Sequence, residues 1–226
     1  MFADNLKTIQ ERIDAALLRA GRKPGDARLL AVSKTFGPEA VAEALQAGQN
    51  AFGENKVQEA LDKIERVPDD RIEWHFIGHL QKNKVKYIPG RFALVHSIDS
   101  LSLALKLDAE CVKHGSVTPV LIQVNVSGEA SKFGAAPESV GETLKGVRDC
   151  RGIRVEGLMT LPPFDPDAEK ARPHFKRLRE LRDTLNAELG LDLKHLSMGM
   201  SHDFEVAVEE GATWVRVGTA LFGARE

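Results

Sequence analysis

Eight short apolar runs, separated by helix-like stretches all along the chain, constrain its fold more than any other feature. The runs lie at 29–33, 51–53, 74–77, 94–97, 120–126, 154–158, 195–197 and 214–217. Between them a helical pattern occupies 38–47, 56–66, 81–87, 100–114, 137–148, 167–189 and 203–210. Leu29-Leu30-Ala31-Val32 and Val120-Leu121-Ile122 are continuous aliphatic stretches, as expected of parallel strands covered on both faces. Strands alternating with helices select a parallel sheet, and eight of them favour a closed (β/α)8 TIM-type barrel over an open doubly wound sheet. An extra helix is expected from Phe2 to Gly21, because Leu6, Ile9, Ile13, Ala16, Leu17 and Ala20 recur at helical spacing.

No proline- or serine-rich linker divides the 226 residues, so one barrel domain over 1–226 is expected. The formal net charge of −2 supplies no global field to recruit nucleic acid or an anionic membrane. The basic stretch Lys82, Lys84, Lys86 and Arg91 reads as a solvated helix face. Cys111 and Cys150 lack metal-ligand spacing and read as reduced thiols at helix positions. The opening Met1-Phe2-Ala3-Asp4-Asn5 has no signal-peptide pattern, and no apolar run reaches bilayer length. A cytoplasmic location is therefore expected.

In such a barrel, binding and catalytic groups gather where strands end and βα loops begin. Lys34 follows the first run, Asn55 the second and His79 the third; Met159 ends the sixth. A free lysine has a pKa near 10.4, so only about one amine in a thousand or fewer is unprotonated at neutral pH. Partial desolvation, which Phe36 and the apolar first strand could supply, lowers that pKa and exposes a nucleophile able to form a Schiff base with an aldehyde. Two glycine-bearing turns, around Ser197, Gly199 and Ser201 and around Gly218 and Thr219, follow the seventh and eighth strands. Barrels often hold phosphate there, with unpaired backbone N–H groups and small residues that let the backbone approach. Arg216, two residues before Gly218, shares its strand phase. An arginine facing a pyridine nitrogen stays cationic and gives up no proton, which discourages full carbanion chemistry. An aldehyde-reactive lysine together with a phosphate cradle suggests pyridoxal 5'-phosphate. On these residues alone a phosphosugar barrel with a Schiff-base lysine, such as an aldolase, stays open, as does an amino-acid racemase or decarboxylase.

The motifs Val32-Ser33-Lys34-Thr35, Phe52-Gly53-Glu54-Asn55, His75-Phe76-Ile77-Gly78-His79-Leu80-Gln81, Gly157-Leu158-Met159-Thr160, Ser197-Met198-Gly199-Met200-Ser201 and Arg216-Val217-Gly218-Thr219 resemble the pyridoxal phosphate homeostasis protein family. The resemblance is collinear from Leu29 to Gly223. It implies a barrel like the amino-terminal domain of alanine racemase, with the cofactor on Lys34 as an internal aldimine. Phosphate would lie in the last two turns, and the pyridine nitrogen would face Arg216. Members of the family look like carriers or regulators of the cofactor pool, with effects on amino-acid and keto-acid balance, rather than established enzymes.

The expected cofactor contacts are thus Lys34, Asn55, His79, Met159, Ser197, Gly199, Ser201, Arg216, Gly218 and Thr219, with no catalytic residue and no metal. The resemblance also separates the alternatives. Similar racemases continue into a β-domain that supplies an essential tyrosine and completes a dimeric site, whereas Tyr87 is the sole tyrosine of this sequence. A monomer is expected, in transient contact with the apo-enzymes that accept the cofactor, with no nucleic-acid or membrane partner.

Overall fold

A computed structural model describes residues 1–129 and 132–223. Eight parallel strands close into a barrel in sequence order, with β8 hydrogen-bonded back to β1. They are β1 (Arg28–Val32), β2 (Ala51–Glu54), β3 (Glu73–Phe76), β4 (Leu94–Ile98), β5 (Thr118–Gln123), β6 (Ile153–Met159), β7 (His195–Ser197) and β8 (Trp214–Val217). The helices are α1 (Phe2–Arg19), α2 (Pro38–Gln46), α3 (Val57–Arg66), α4 (Leu101–Lys113), α5 (Val140–Gly146), α6 (Arg172–Leu189), α7 (Phe204–Glu209) and the single turn α8 (Thr219–Phe222).

Period-two alternation divides each strand between two cores. On β1, Leu29 and Ala31 join the layer under the helices, while Leu30 points inward with Ala51, Leu94, Leu121, Met159 and Trp214. The interior is therefore filled rather than open, and ligands are confined to its carboxyl-terminal mouth.

The extra amino-terminal helix is present. α1 buries Phe2, Ile9, Ile13, Ala16 and Leu17 and packs on α7 and α8. Arg12 reaches Glu205 at 2.8 Å, and the Asn5 amide donates to the Leu221 carbonyl at 2.9 Å. The helix thereby covers the segment that follows the last strand, next to the mouth.

Two expectations are corrected. The helix at 81–87 is only a 3-10 turn over Val85–Tyr87. Within 81–87 only Val85 is buried, too little to dock a helix, and Pro89 cannot continue one. Lys82 consequently lies on an exposed turn and Lys86 in the 3-10 turn, not on an α-helix face. Cys111 does sit in α4, beside Thr118 at 3.2 Å, but Cys150 lies in the turn after α5, where burial pushes its thiol up to about 11. Among the described residues no helix is long and apolar enough to cross a membrane.

Candidate cofactor site

A cavity of about 580 Å³ opens at the carboxyl-terminal ends of the strands. Seven of the ten expected residues line it: Lys34, Asn55, His79, Ser201, Arg216, Gly218 and Thr219. Arg216 stands on β8 and the others on the segments after β1, β2, β3, β7 and β8, so the barrel supplies the convergence that sequence distance hides.

Lys34 is half-buried in the turn directly after β1. The next residue, Thr35, has φ +72°, a left-handed conformation that costs a β-branched residue roughly 1–2 kcal/mol. A charged cluster behind the turn holds it there. The Thr35 amide donates to Glu59 Oε1. Lys63 Nζ donates to the Ser33 carbonyl at 2.8 Å, to Glu54 Oε1 at 2.7 Å and to Glu59 Oε1 at 3.1 Å. Ser33 Oγ donates to the same Glu54 oxygen at 2.6 Å. Lys63 is 2% exposed and Glu54 not at all. Burial raises the Glu54 carboxyl, with Lys63 and Ser33 pulling the other way. Against the upward push of burial, the Thr35 amide and Lys63 hold Glu59 below the usual carboxylate range.

The second and third loops are set by a close backbone approach. A side chain on Gly78 would put its Cβ 2.0 Å from the Asn55 carbonyl oxygen, so only glycine lets the loop after β3 lie against Asn55. Asn55 Oδ1 is buried with no hydrogen-bond partner among the described residues. Buried amides of this kind are normally satisfied, so this oxygen is free to meet a ligand's donor. His79, outside any helix, stacks on Phe133 at 4.0 Å and stands 3.4 Å from Asp99 Oδ2.

The last two turns are joined: the Gly218 amide donates to Ser201 Oγ at 3.4 Å. Gly199, at φ +89°, shapes the turn after β7, where a Cβ would come within 2.5 Å of the Ala207 side chain. Asp203 closes that turn by accepting from the Met200 amide at 2.6 Å and makes no side-chain cap to α7. Arg216 donates to Ser197 Oγ at 2.7 Å and to the Thr160 carbonyl at 2.9 Å. Both acceptors are neutral. Burial lowers the guanidinium to about 10, opposed by Asp203, so it stays cationic at neutral pH.

Three expected residues do not line the cavity. Met159 belongs to the inner core, Ser197 is buried against Arg216, and Gly199 packs on α7. Conversely, Phe133, Leu161, Phe164 and His202 line the mouth without having been singled out. Their signal was weak: single loop residues, such as the exposed Phe133 and Phe164, carry no periodicity. Tyr87 lies in the 3-10 turn beside Lys84 and Lys86 and is not part of the lining.

A family model for the alanine racemase N-terminal domain matches residues 5–226. A pyridoxal phosphate homeostasis protein from Aquifex aeolicus is 49% identical over 99% of this chain and 98% of its own length. The chain belongs to the pyridoxal phosphate homeostasis protein family. PipY of Synechococcus elongatus, solved with pyridoxal phosphate bound, is 34% identical with a TM-score of 0.86, covering 99% of this chain and all of that one. An alanine racemase from Clostridium difficile shares the fold at a TM-score of 0.77 but only 15% identity. This chain covers 98% of its own length and 57% of the racemase in that match, so the racemase has a further region that this homeostasis-family chain does not match.

Proposed function

We propose that this chain binds pyridoxal 5'-phosphate at the barrel mouth and serves intracellular cofactor homeostasis as a reversible, non-catalytic carrier. Pyridoxal phosphate supplies an aldehyde with which a lysine amine condenses, losing water, and a phosphate dianion for anchoring. The observation that carries the reading is the convergence on one cavity of Lys34, the joined Ser201 and Gly218-Thr219 turns, and cationic Arg216. Lys34 is the covalent partner, held at the mouth by the strained turn and the Lys63 cluster behind it. Ser201, Gly218 and Thr219 offer hydroxyl and amide donors to phosphate. Arg216 offers N–H groups to the ring nitrogen without surrendering a proton. Asn55 and His79 contact the ring from the opposite loops. Met159, Ser197 and Gly199 support the site from behind.

The position of the sole tyrosine supports the carrier reading over a racemase. A racemase needs two acid/base groups on opposite faces of its substrate. The sole tyrosine, the residue type that similar racemases use as their second group, lies outside the cavity. Purified protein loaded with pyridoxal phosphate is expected to activate an apo-enzyme on mixing while neither racemising nor decarboxylating amino acids. Efficient amino-acid turnover by the protein alone would replace the carrier reading with the racemase or decarboxylase one.

A further inference from the structure

A file of polar side chains crosses the barrel interior, where such cores ordinarily pack branched aliphatic residues. It begins at Arg216 on β8, passes through Ser197 on β7 and His96 on β4, and reaches His75 on β3. Arg216 lies 2.7 Å from Ser197 Oγ, Ser197 Oγ 2.8 Å from His96 Nδ1, and His96 Nε2 2.9 Å from His75 Nδ1. None of the four is more than 4% exposed. Beyond His75, its Nε2 stands 3.9 Å from Glu73 Oε2, a charge–dipole contact rather than a direct hydrogen bond. Arg28 grips both oxygens of Glu73 at 3.0 Å. With His75 and Arg28 beside it, Glu73 is held down to about 2 and stays ionised.

The chemistry of the donors fixes the direction of this file. A guanidinium can only donate, so Ser197 Oγ accepts from Arg216. Ser197 keeps one proton to place, and His96 Nδ1 is its other side-chain partner among the described residues. If Ser197 donates there, His96 carries its proton on Nε2 and donates to His75 Nδ1. His75 then carries its own proton on Nε2 and turns an N–H toward the Glu73 carboxylate. The reverse direction would leave the Ser197 proton without an acceptor and aim a lone pair at that carboxylate. Burial lowers both histidines, opposed by Glu73 at His75 and joined by His75 and Arg216 at His96, so both rings are neutral at pH 7.

We propose that His96, acting through Ser197, is a positioning residue that fixes the Arg216 guanidinium as a donor toward the cofactor cavity, with His75 locking the tautomer this requires. The inference rests on the pyridoxal phosphate reading for the identity of the ligand only; the hydrogen-bond direction stands independently. Ser197 and the Thr160 carbonyl hold two different nitrogens of Arg216, which fixes the plane of the group. Because both acceptors are neutral, the positive charge is left for the ligand. Without His96, the Ser197 hydroxyl would lose its acceptor and compete with Arg216 for partners.

The test has two parts. In ligand-free protein with 15N-labelled histidine, side-chain NMR at pH 7 should show both His75 and His96 as neutral Nε2–H tautomers. A His96 Nδ1–H tautomer overturns the direction of the file whatever the protein binds. With added pyridoxal phosphate, His96→Leu and Ser197→Ala should each shift the near-visible absorbance band and speed cofactor release about tenfold, the scale of one charge-assisted hydrogen bond. The double variant should be no worse than either alone. His96→Gln, which presents an acceptor to Ser197 and a donor to His75, should restore most of the retention. If Ser197→Ala, the variant least able to disturb folding, leaves band and release unchanged, the positioning role is refuted. If the unsubstituted protein gives no band at all, the cofactor reading fails instead, and the tautomers still decide the file.

Discussion

Replacing Lys63 with methionine would test the charged cluster behind Lys34. The ammonium makes three hydrogen bonds of 2.7–3.1 Å from a site only 2% exposed, and its partner Glu54 is wholly buried. Methionine fills the same volume but leaves that carboxylate without its cation. Breaking one side of a buried pair costs about 3–5 kcal/mol. For a chain of this size each kcal/mol is worth about 2–4 °C, so the melting temperature should fall by roughly 6–20 °C. The pH dependence has a definite sign. Burial already raises the Glu54 carboxyl, and losing Lys63 raises it further. A carboxyl raised in the folded state contributes stability at low pH and loses it as pH rises through the folded value. The Lys63→Met deficit should therefore be larger at pH 8 than at pH 5 and should shrink when Glu54→Gln is added. Urea denaturation of the four members of this cycle measures all three effects. A loss below about 1 kcal/mol would refute the buried-pair energetics, and strict additivity with Glu54→Gln would refute the coupling.

Other outcomes follow from the same geometry. Thr35→Gly removes a left-handed cost of roughly 1–2 kcal/mol and adds a glycine entropy penalty of about 0.5–1 kcal/mol, so thermal melting should show a small stabilisation; a lower melting temperature would mean that Thr35 is not strained. His75 and His96 are lowered below their unfolded values, so their contribution is complete above the unfolded pKa and fades as pH falls from there. Each histidine adds a slope approaching about 1.4 kcal/mol per pH unit below about 6.5, opposed by Glu54 alone among the raised carboxyls, and urea titrations showing no loss between pH 6.5 and 5.5 would contradict neutral burial. Ser201→Ala and Thr219→Val should speed cofactor release by stopped-flow while the absorbance band persists; unchanged rates in both would remove the phosphate clamp.

The parts of this protein that were legible in the sequence are those governed by local pattern. The runs Leu29-Leu30-Ala31-Val32 and Val120-Leu121-Ile122 fall within β1 and β5, because a continuous aliphatic stretch covered on both faces leaves few alternatives. Lys34 could be singled out because its strand end implies the mouth. The segment 81–87 misled because alternating lysines imitate a solvated helix face, whereas only Val85 of it is buried and Pro89 follows, so it forms no more than a 3-10 turn. The Lys63 cluster and the histidine file depend on contacts between distant residues and carry little local signal. Two traces existed all the same. Lys63 falls on the buried face of α3 with Val57 and Ala60, and His75 and His96 occupy inward phases of their strands. A polar residue in an apolar phase marks a place where tertiary partners must be found.

The most direct test of the central claim is borohydride reduction of the purified protein after incubation with pyridoxal phosphate, followed by peptide mass spectrometry. A near-visible band that disappears on reduction, with the reduced adduct on Lys34 and absent from Lys34→Ala, is the predicted result. No band, or an adduct confined to other lysines, would contradict cofactor binding at the barrel mouth.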